Sequence, residues 1–124
     1  MGTRGVLRGQ DLSYFDLSGR DLSGIDLSDT RLIGAQLAHA QLALANLSGS
    51  NLTAADLSGA NLIGTQLNGA ILRRAVLTGA AVGEFPIRAP SGELSGRTQQ
   101  TSLVGADLLE ARLDGLDLRS CLTG

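Results

Sequence analysis

Leucine recurs at every fifth position along most of this chain. From Leu7 through Leu12 and Leu17 to Leu77 and Val82, sixteen apolar centres stand in unbroken register, and fifteen of them are leucine. The positions around each centre have preferences of their own. Two residues before it stands something small, as at Ala35, Ala40, Ala45, Ser50, Ala55 and Thr65. One residue before it stands Asp, Asn or Gln, as at Asp11, Gln36, Asn46 and Asp56. Ser or Thr is favoured one residue after it and Gly two after it, as at Gly19, Gly34, Gly49 and Gly59.

Five is neither the strand period of two nor the helix period of 3.6. Within each block the small residue and the leucine are two apart, which puts both on one face of an extended segment. The polar residue between them faces out. The following pair, often Ser-Gly, suits a turn, where Gly takes positive φ at no steric cost. Extended pieces alternating with corners coil the chain into a tube. Leucine stacks on leucine inside it, and alanine leaves the room. If four blocks close one coil, successive coils lie about 4.8 Å apart, the usual strand separation. Spacing alone predicts no more than a short-period solenoid.

The stretch "ADLSGANLIG", residues 55–64, resembles the A(D/N)LXX signature of the pentapeptide repeat family. The resemblance covers 5–87 and resumes over 101–123. It implies an all-β fold, a right-handed quadrilateral β-helix with four repeats per coil and about five coils here. The expected organisation is one domain, with regular coils over 5–87, a loop insertion over 88–100 and a final coil over 101–123. In the insertion "GEFPIRAPSGELSGRTQQ", Pro86, Pro90, Gly92 and Gly96 predict no regular structure beyond Ile87. Register then resumes, shifted by one, at Leu103, Leu108, Leu113 and Leu118.

Departures from the pattern are where function is sought. At twenty residues per coil the first outward ring is Asp11, Asp16, Asp21 and Asp26, with Asp29 close by. This candidate acidic surface is either a solubilising end or a site for a basic partner. The next two rings are polar, and the fourth is Ile71, Val76, Ala81 and Pro86. Either the insertion folds back over Ile71 and Val76, or they form a docking surface, since exposed apolar patches mark interfaces. Arg73, Arg74, Arg88 and Arg97 fall in or beside the insertion. With Ile71, Val76, Phe85 and Ile87 they make up the candidate partner contacts. Arg20 takes an inward site in the first coil, beside Gln10, Phe15 and Ile25, and reads as a cap. No capping helix is read after the last coil, and an uncovered edge invites pairing, so that end is expected to stack either on a second copy, as a homodimer through the C-terminal coil, or on another partner.

Composition narrows the chemistry. Apolar residues make up 43% of the chain, and the only aromatics are Tyr14, Phe15 and Phe85, so the core is aliphatic. All ten basic residues are arginine, and the net charge is -2. Without lysine or an aromatic platform, direct nucleic-acid binding is not expected. Cys121 is the single cysteine, in an inward position where a thiol fills space, so no disulfide framework is read. His39 stands alone at a corner. The first-ring aspartates lie on different faces and cannot converge. No catalytic set, cofactor site or metal site is read, and the expectation is a protein that is not an enzyme. The N-terminal stretch has no apolar signal core, and no apolar run reaches membrane-spanning length, so a cytoplasmic location is expected.

The function expected is a non-catalytic protein-binding or scaffold module docking through the loop and the coil ends. The family resemblance implies an alternative. Some pentapeptide repeat proteins resemble duplex DNA in width and charge and bind DNA gyrase, conferring quinolone resistance. Such a DNA-mimic binder of gyrase or another topoisomerase would need about one negative charge per 1.7 Å of axis. Five coils at strand spacing span roughly 24 Å, or about fourteen charges. The chain has twelve acids against ten arginines.

Overall fold

The computed structural model describes residues 6–123, so the expected start of the coils at residue 5 lies outside the described residues. Each outward residue pairs in parallel with the residue twenty further on. Four columns result: Val6–Asp26–Asn46–Gln66, Asp11–Arg31–Asn51–Ile71, Asp16–Gln36–Asp56–Val76 and Asp21–Gln41–Asn61–Ala81. Four columns make four faces, and the tube is square. The bonding within a column is regular. The N–H of Arg31 donates back to Gln10 O at 2.9 Å, and its carbonyl accepts from Leu12 N–H at 2.7 Å. Each face contributes one such residue per coil, so parallel β pairing continues along the tube without long strands.

The corners follow from the Leu-Ser-Gly sequence. Leu32 O accepts from Ala35 N–H at 3.0 Å, with Gly34 at φ 64° as the third residue of the turn. That is a type II turn, whose third residue needs positive φ. It recurs every five residues, and non-glycine residues also hold it, among them Tyr14 at φ 65° and His39 at φ 60°.

Inside, Leu27 to Leu72 in steps of five are fully buried, as are the alanines two residues before most of them. Fully burying a leucine contributes about 1.5–3 kcal/mol, and this stack dominates the stability. Thr30, Ser50 and Thr65 replace inward alanines. Their hydroxyls donate to Leu27 O, Leu47 O and Leu42 O at 2.6, 2.6 and 2.7 Å. No buried side-chain polar atom among the described residues lacks a partner. At both ends the leucines are half-buried: Leu7, Leu12, Leu17 and Leu22 below, and Leu108, Leu113 and Leu118 above.

The insertion is a β-hairpin and not an irregular loop. Strand β1 spans Glu84–Arg88 and pairs antiparallel with β2, Leu94–Gln100. Both strands are edges, and an edge tolerates Pro86, which sits opposite Thr98. Arg88 pairs with Leu94 after a register shift, and Gly96 at φ 80° lies in the bulged segment. The regular coils therefore end at Val82, short of the expected residue 87. Ser102, not Pro86, takes the fourth outward position: Gln66 pairs with Ser102, thirty-six residues on instead of twenty. Pro86 belongs to the hairpin, because the insertion adds sixteen residues to one corner.

The base of the hairpin is tied into the coil. Thr101 is fully buried; its hydroxyl donates to Leu62 O and accepts from Gly83 N–H at 3.1 Å. The Gln99 amide donates to Gly64 O at 2.6 Å, and the Gln66 amide donates to Gln100 O at 3.3 Å. A last coil follows, with Ile71 paired to Asp107, Val76 to Arg112 and Ser102 to Leu122.

Candidate interaction surfaces

The acidic ring is first a set of corner braces. An Asp before the leucine reaches forward two residues, and its carboxylate accepts a backbone N–H there. Asp11 accepts from Ser13, Asp16 from Ser18 and Asp21 from Ser23 at 3.1 Å each, and Asp26 from Ser28 at 3.0 Å. This is the Asx-turn, available to Asp and Asn. Asn46, Asn51 and Asn61 make the same bond in the middle of the tube. The Ser13 backbone N–H, then the Ser13 hydroxyl, holds the Asp11 carboxyl below its ordinary range. The Ser18 hydroxyl and backbone N–H do the same for Asp16. Asp26 is lowered to about 2 by the Ser28 hydroxyl, then Arg8, then the Ser28 N–H. Arg8 is 2.8 Å from Asp26, and the charges of Arg31 and Arg20 act on Asp11 and Asp16. Asp29 is exposed at a corner, at φ 56°. The N-terminal acids thus stand among arginines on four faces.

The candidate contacts divide between two diagonal corners. Ile71 and Val76 are half-buried on adjacent faces, with the exposed pair Arg73–Arg74 at the corner between them. Arg73 Nε lies 2.6 Å from Asp107 Oδ2, and Arg74 takes φ 57°. The hairpin leaves the tube two corners further on, after Val82. It therefore does not fold back over Ile71 and Val76. Instead Phe85 meets the Gly64 corner beside Leu44: a Cβ built on Gly64 would lie 3.0 Å from both side chains. Ile87 is half-buried and its carbonyl accepts the Ser95 hydroxyl. Arg88 donates to Gly92 O at 2.9 Å, and Arg97 is exposed on the strand opposite Ile87. The arginines of the insertion and those of the coil share no patch.

The ends differ from each other. At the N-terminal mouth Gln10, Phe15 and Arg20 occupy inward positions but are exposed, and only Ile25 is buried. Among the described residues Arg20 makes no side-chain hydrogen bond or ion pair; it is exposed to water, and its charge acts on the neighbouring Asp16 carboxylate. At the C-terminal end the inward positions are Ala106, Ala111, Leu116 and Cys121, and burial raises the Cys121 thiol pKa. Around them Val104, Leu109 and Leu122 are exposed. Among the described residues the N–H groups of Leu108 and Leu113 and the carbonyls of Ala106 and Ala111 have no backbone partner. Residue-by-residue reading missed this apolar rim. The signal was there: Val104 and Leu109 stand at corner positions where Ser or Thr is the rule.

Among the described residues there is no cavity, no His, Cys, Asp and Glu group able to hold a metal ion, and no helix long and apolar enough to cross a membrane. His39 is exposed at its corner.

The family model for pentapeptide repeats matches residues 11–49 and 50–82, with eight copies. Among solved structures the chain is similar to HetL, a pentapeptide repeat protein involved in heterocyst differentiation regulation from the cyanobacterium Nostoc sp. strain PCC 7120. The identity is 36% and the TM-score 0.55, over 83% of this chain and 38% of HetL. The chain thus spans well under half of HetL's length. In fold alone it also matches QnrB1, a plasmid-mediated fluoroquinolone resistance protein, at 18% identity and TM-score 0.51, over 96% of this chain and 77% of that one. No curated protein sequence matches. Pentapeptide repeat proteins fold as right-handed quadrilateral β-helices, and the square coils described above have that architecture.

Proposed function

The chain belongs to the pentapeptide repeat family, and on that footing we propose that it is a non-catalytic protein-binding module whose C-terminal coil end is the docking surface. Members of the family are generally structural and binding modules. One observation carries the reading. The C-terminal edge combines backbone N–H and C=O groups that have no backbone partner among the described residues with exposed Leu109 and Leu122, 55% and 47% accessible. An open β edge is a template for another chain, and an apolar rim gives that chain something to bury. A second copy of this protein is one occupant of that end, giving a homodimer. The hairpin, tied to the coil by the hydrogen bonds of Thr101 and Gln99, is a second contact for a larger partner.

The experiment measures solution mass by light scattering over a concentration series, and captures partners from the native host with wild type and L109D. Docking at this end predicts a rising mass or a captured protein that L109D loses. A single-chain mass at every concentration, with the same proteins captured by both forms, rules it out.

The DNA-mimic reading has less support. Between Arg31 and Arg73 the only carboxylate is Asp56, so the middle of the tube is almost uncharged. A mimic needs charge along its whole length. Inhibition of gyrase supercoiling by micromolar protein would reinstate that reading.

A further inference from the structure

We propose that the last corner, Leu118–Ser120, is a latch with two forms that sets how firmly the C-terminal coil is held. That coil is stacked on the fourth by a ladder that repeats every five residues. Leu72 N–H donates to Asp107 O at 2.7 Å and Leu77 N–H to Arg112 O at 2.8 Å. Asp107 N–H donates to Ala70 O and Arg112 N–H to Ala75 O, at 2.9 Å each. Five residues further on, the same pattern requires Val82 N–H to donate to Asp117 O and Asp117 N–H to donate to Ala80 O. Neither bond is made among the described residues, and Ala81 has no bridge to Asp117. The seam is closed by Gln66–Ser102, Ile71–Asp107 and Val76–Arg112 and is open on the remaining face.

The open face has a local cause. The Asp117 carbonyl, which would accept from Val82, accepts instead from the Ser120 N–H at 3.1 Å and the Ser120 hydroxyl at 2.7 Å, and Leu118–Ser120 is a 3-10 turn. The other corners of the last coil carry positive φ at their third residue: Gly105 at 73°, Glu110 at 59° and Gly115 at 84°. Ser120, third in its own corner, does not. Positive φ is strained for serine and free for glycine, and the two bonds to Asp117 O hold Ser120 out of it. The second form is the regular corner, with Ser120 at positive φ, its bonds to Asp117 O released and Asp117 paired with Ala81. The Cys121 N–H bond to Leu118 O, at 3.1 Å, belongs to both forms, since the regular corners make it too. Two ladder bonds in one form replace two local bonds in the other, so the forms lie close in free energy.

The corner touches both docking surfaces. At the root of the hairpin, a Cβ built on Gly83 would stand 3.9 Å from Ser120 Cβ, and the Gln100 amide donates to Ser120 O at 3.4 Å. Two residues after the corner, Leu122 pairs with Ser102 at the C-terminal edge. Latching adds a fourth face to the support of the coil that carries Leu109 and Leu122. A partner that needs that coil fixed therefore favours the latched form, and a contact on the hairpin reaches the same corner through Gln100. Two surfaces that bias one two-state element are coupled. The bearing on docking rests on the reading of the C-terminal end above; the two forms of the corner do not, and they are measured without a partner.

The test follows amide hydrogen exchange of Val82 and Leu77 by NMR in the full chain, for wild type, S120G and S120T, with circular dichroism as the check on folding. Leu77 N–H is bonded to the last coil in both forms, so the ratio of the two rates separates the latch from a general change in stability. In wild type Val82 should be less protected than Leu77. S120G takes positive φ freely and should lower the Val82 to Leu77 rate ratio at least about twofold. S120T keeps the hydroxyl and the N–H, but a β-branched residue resists positive φ, so its ratio should be no lower than that of wild type. Wild-type Val82 as protected as Leu77 overturns the proposal, because the open form is then absent. An S120G ratio equal to that of wild type also overturns it, including the case in which both amides slow alike through plain stabilisation. A fall in S120T as large as in S120G overturns it as well, because the corner then does not turn on φ.

Discussion

The ring of Tyr14 lies across the corner above it, so close that a Cβ on Gly34 would stand 2.6 Å from Tyr14 Cε1. The relation recurs. His39 lies in the same way against Gly59, Asp29 against Gly49 and Leu44 against Gly64. A bulky residue that holds the positive-φ corner needs glycine on the next coil. G34A should therefore cost more than G69A, since Gly69, at φ 67°, faces open space. The strained backbone alone costs about 1–2 kcal/mol at either site. Displacing the mostly exposed Tyr14 ring should add a few tenths of a kcal/mol. Urea unfolding of both, and of Y14A/G34A, measures the difference. Equal costs for G34A and G69A would show that the ring moves freely.

The core should be strongest where coils cover it on both sides. Leu52 is fully buried between the coils of Leu32 and Leu72. L52A should lose about 2–5 kcal/mol, the range for a leucine cavity in a rigid core. Leu113 has no coil above it and is half-buried. L113A should lose under about 2 kcal/mol. Denaturant titrations of the two variants decide this, and hydrogen exchange should find the fastest amides in the first and last coils.

The leucine register was legible because nothing but a coil interior explains sixteen apolar centres five apart. The outward place of Asp56, Asn61 and Gln66 was legible for the same reason. What those residues do was not, because an Asx-turn is a bond between side chain and backbone and leaves no mark in an apolar pattern. Glutamine, longer by one carbon, shares the position but shows no such bond at residues 36, 41 and 66. Pro86 fell into the fourth ring because the count of five was carried past the last true coil. The hairpin was missed because its prolines and glycines were weighed against a buried strand, not against two edge strands. The candidate contacts looked like one patch because Arg73 and Arg88 are near in sequence, while the square section sets them at opposite corners.

Acid should loosen the first coil. Asp11, Asp16 and Asp26 all have carboxyl pKa values below the unfolded value of about 3.9, Asp26 at about 2. A depressed folded pKa stabilises above the unfolded value, and the effect is lost as pH falls through the folded one. Stability should therefore be flat above about pH 5 and fall from about pH 4 towards pH 2. Asn46 makes the same turn bond without ionising, to Ser48 N–H at 3.0 Å. D11N/D16N/D26N should keep its corners and show a shallower loss, read from urea midpoints at pH 6 and pH 2.5. An unchanged slope would mean that other acids govern the transition.

Thr101 should be the most sensitive residue of the hairpin base. It fills an inward alanine position, but its hydroxyl accepts from Gly83 N–H at 3.1 Å and donates to Leu62 O. T101A keeps the volume nearly right and leaves the buried Gly83 N–H without a partner. An unsatisfied buried donor costs about 1–3 kcal/mol. T101S keeps the hydroxyl and should lose less than about 1 kcal/mol. Because Leu103 N–H donates to Leu122 O and Leu122 N–H donates to Thr101 O, the loss should spread into the last coil. Faster amide exchange at Leu103 and Leu122 in T101A than in T101S would show that coupling. Equal exchange in the two variants would place the hydroxyl outside the support of the C-terminal end.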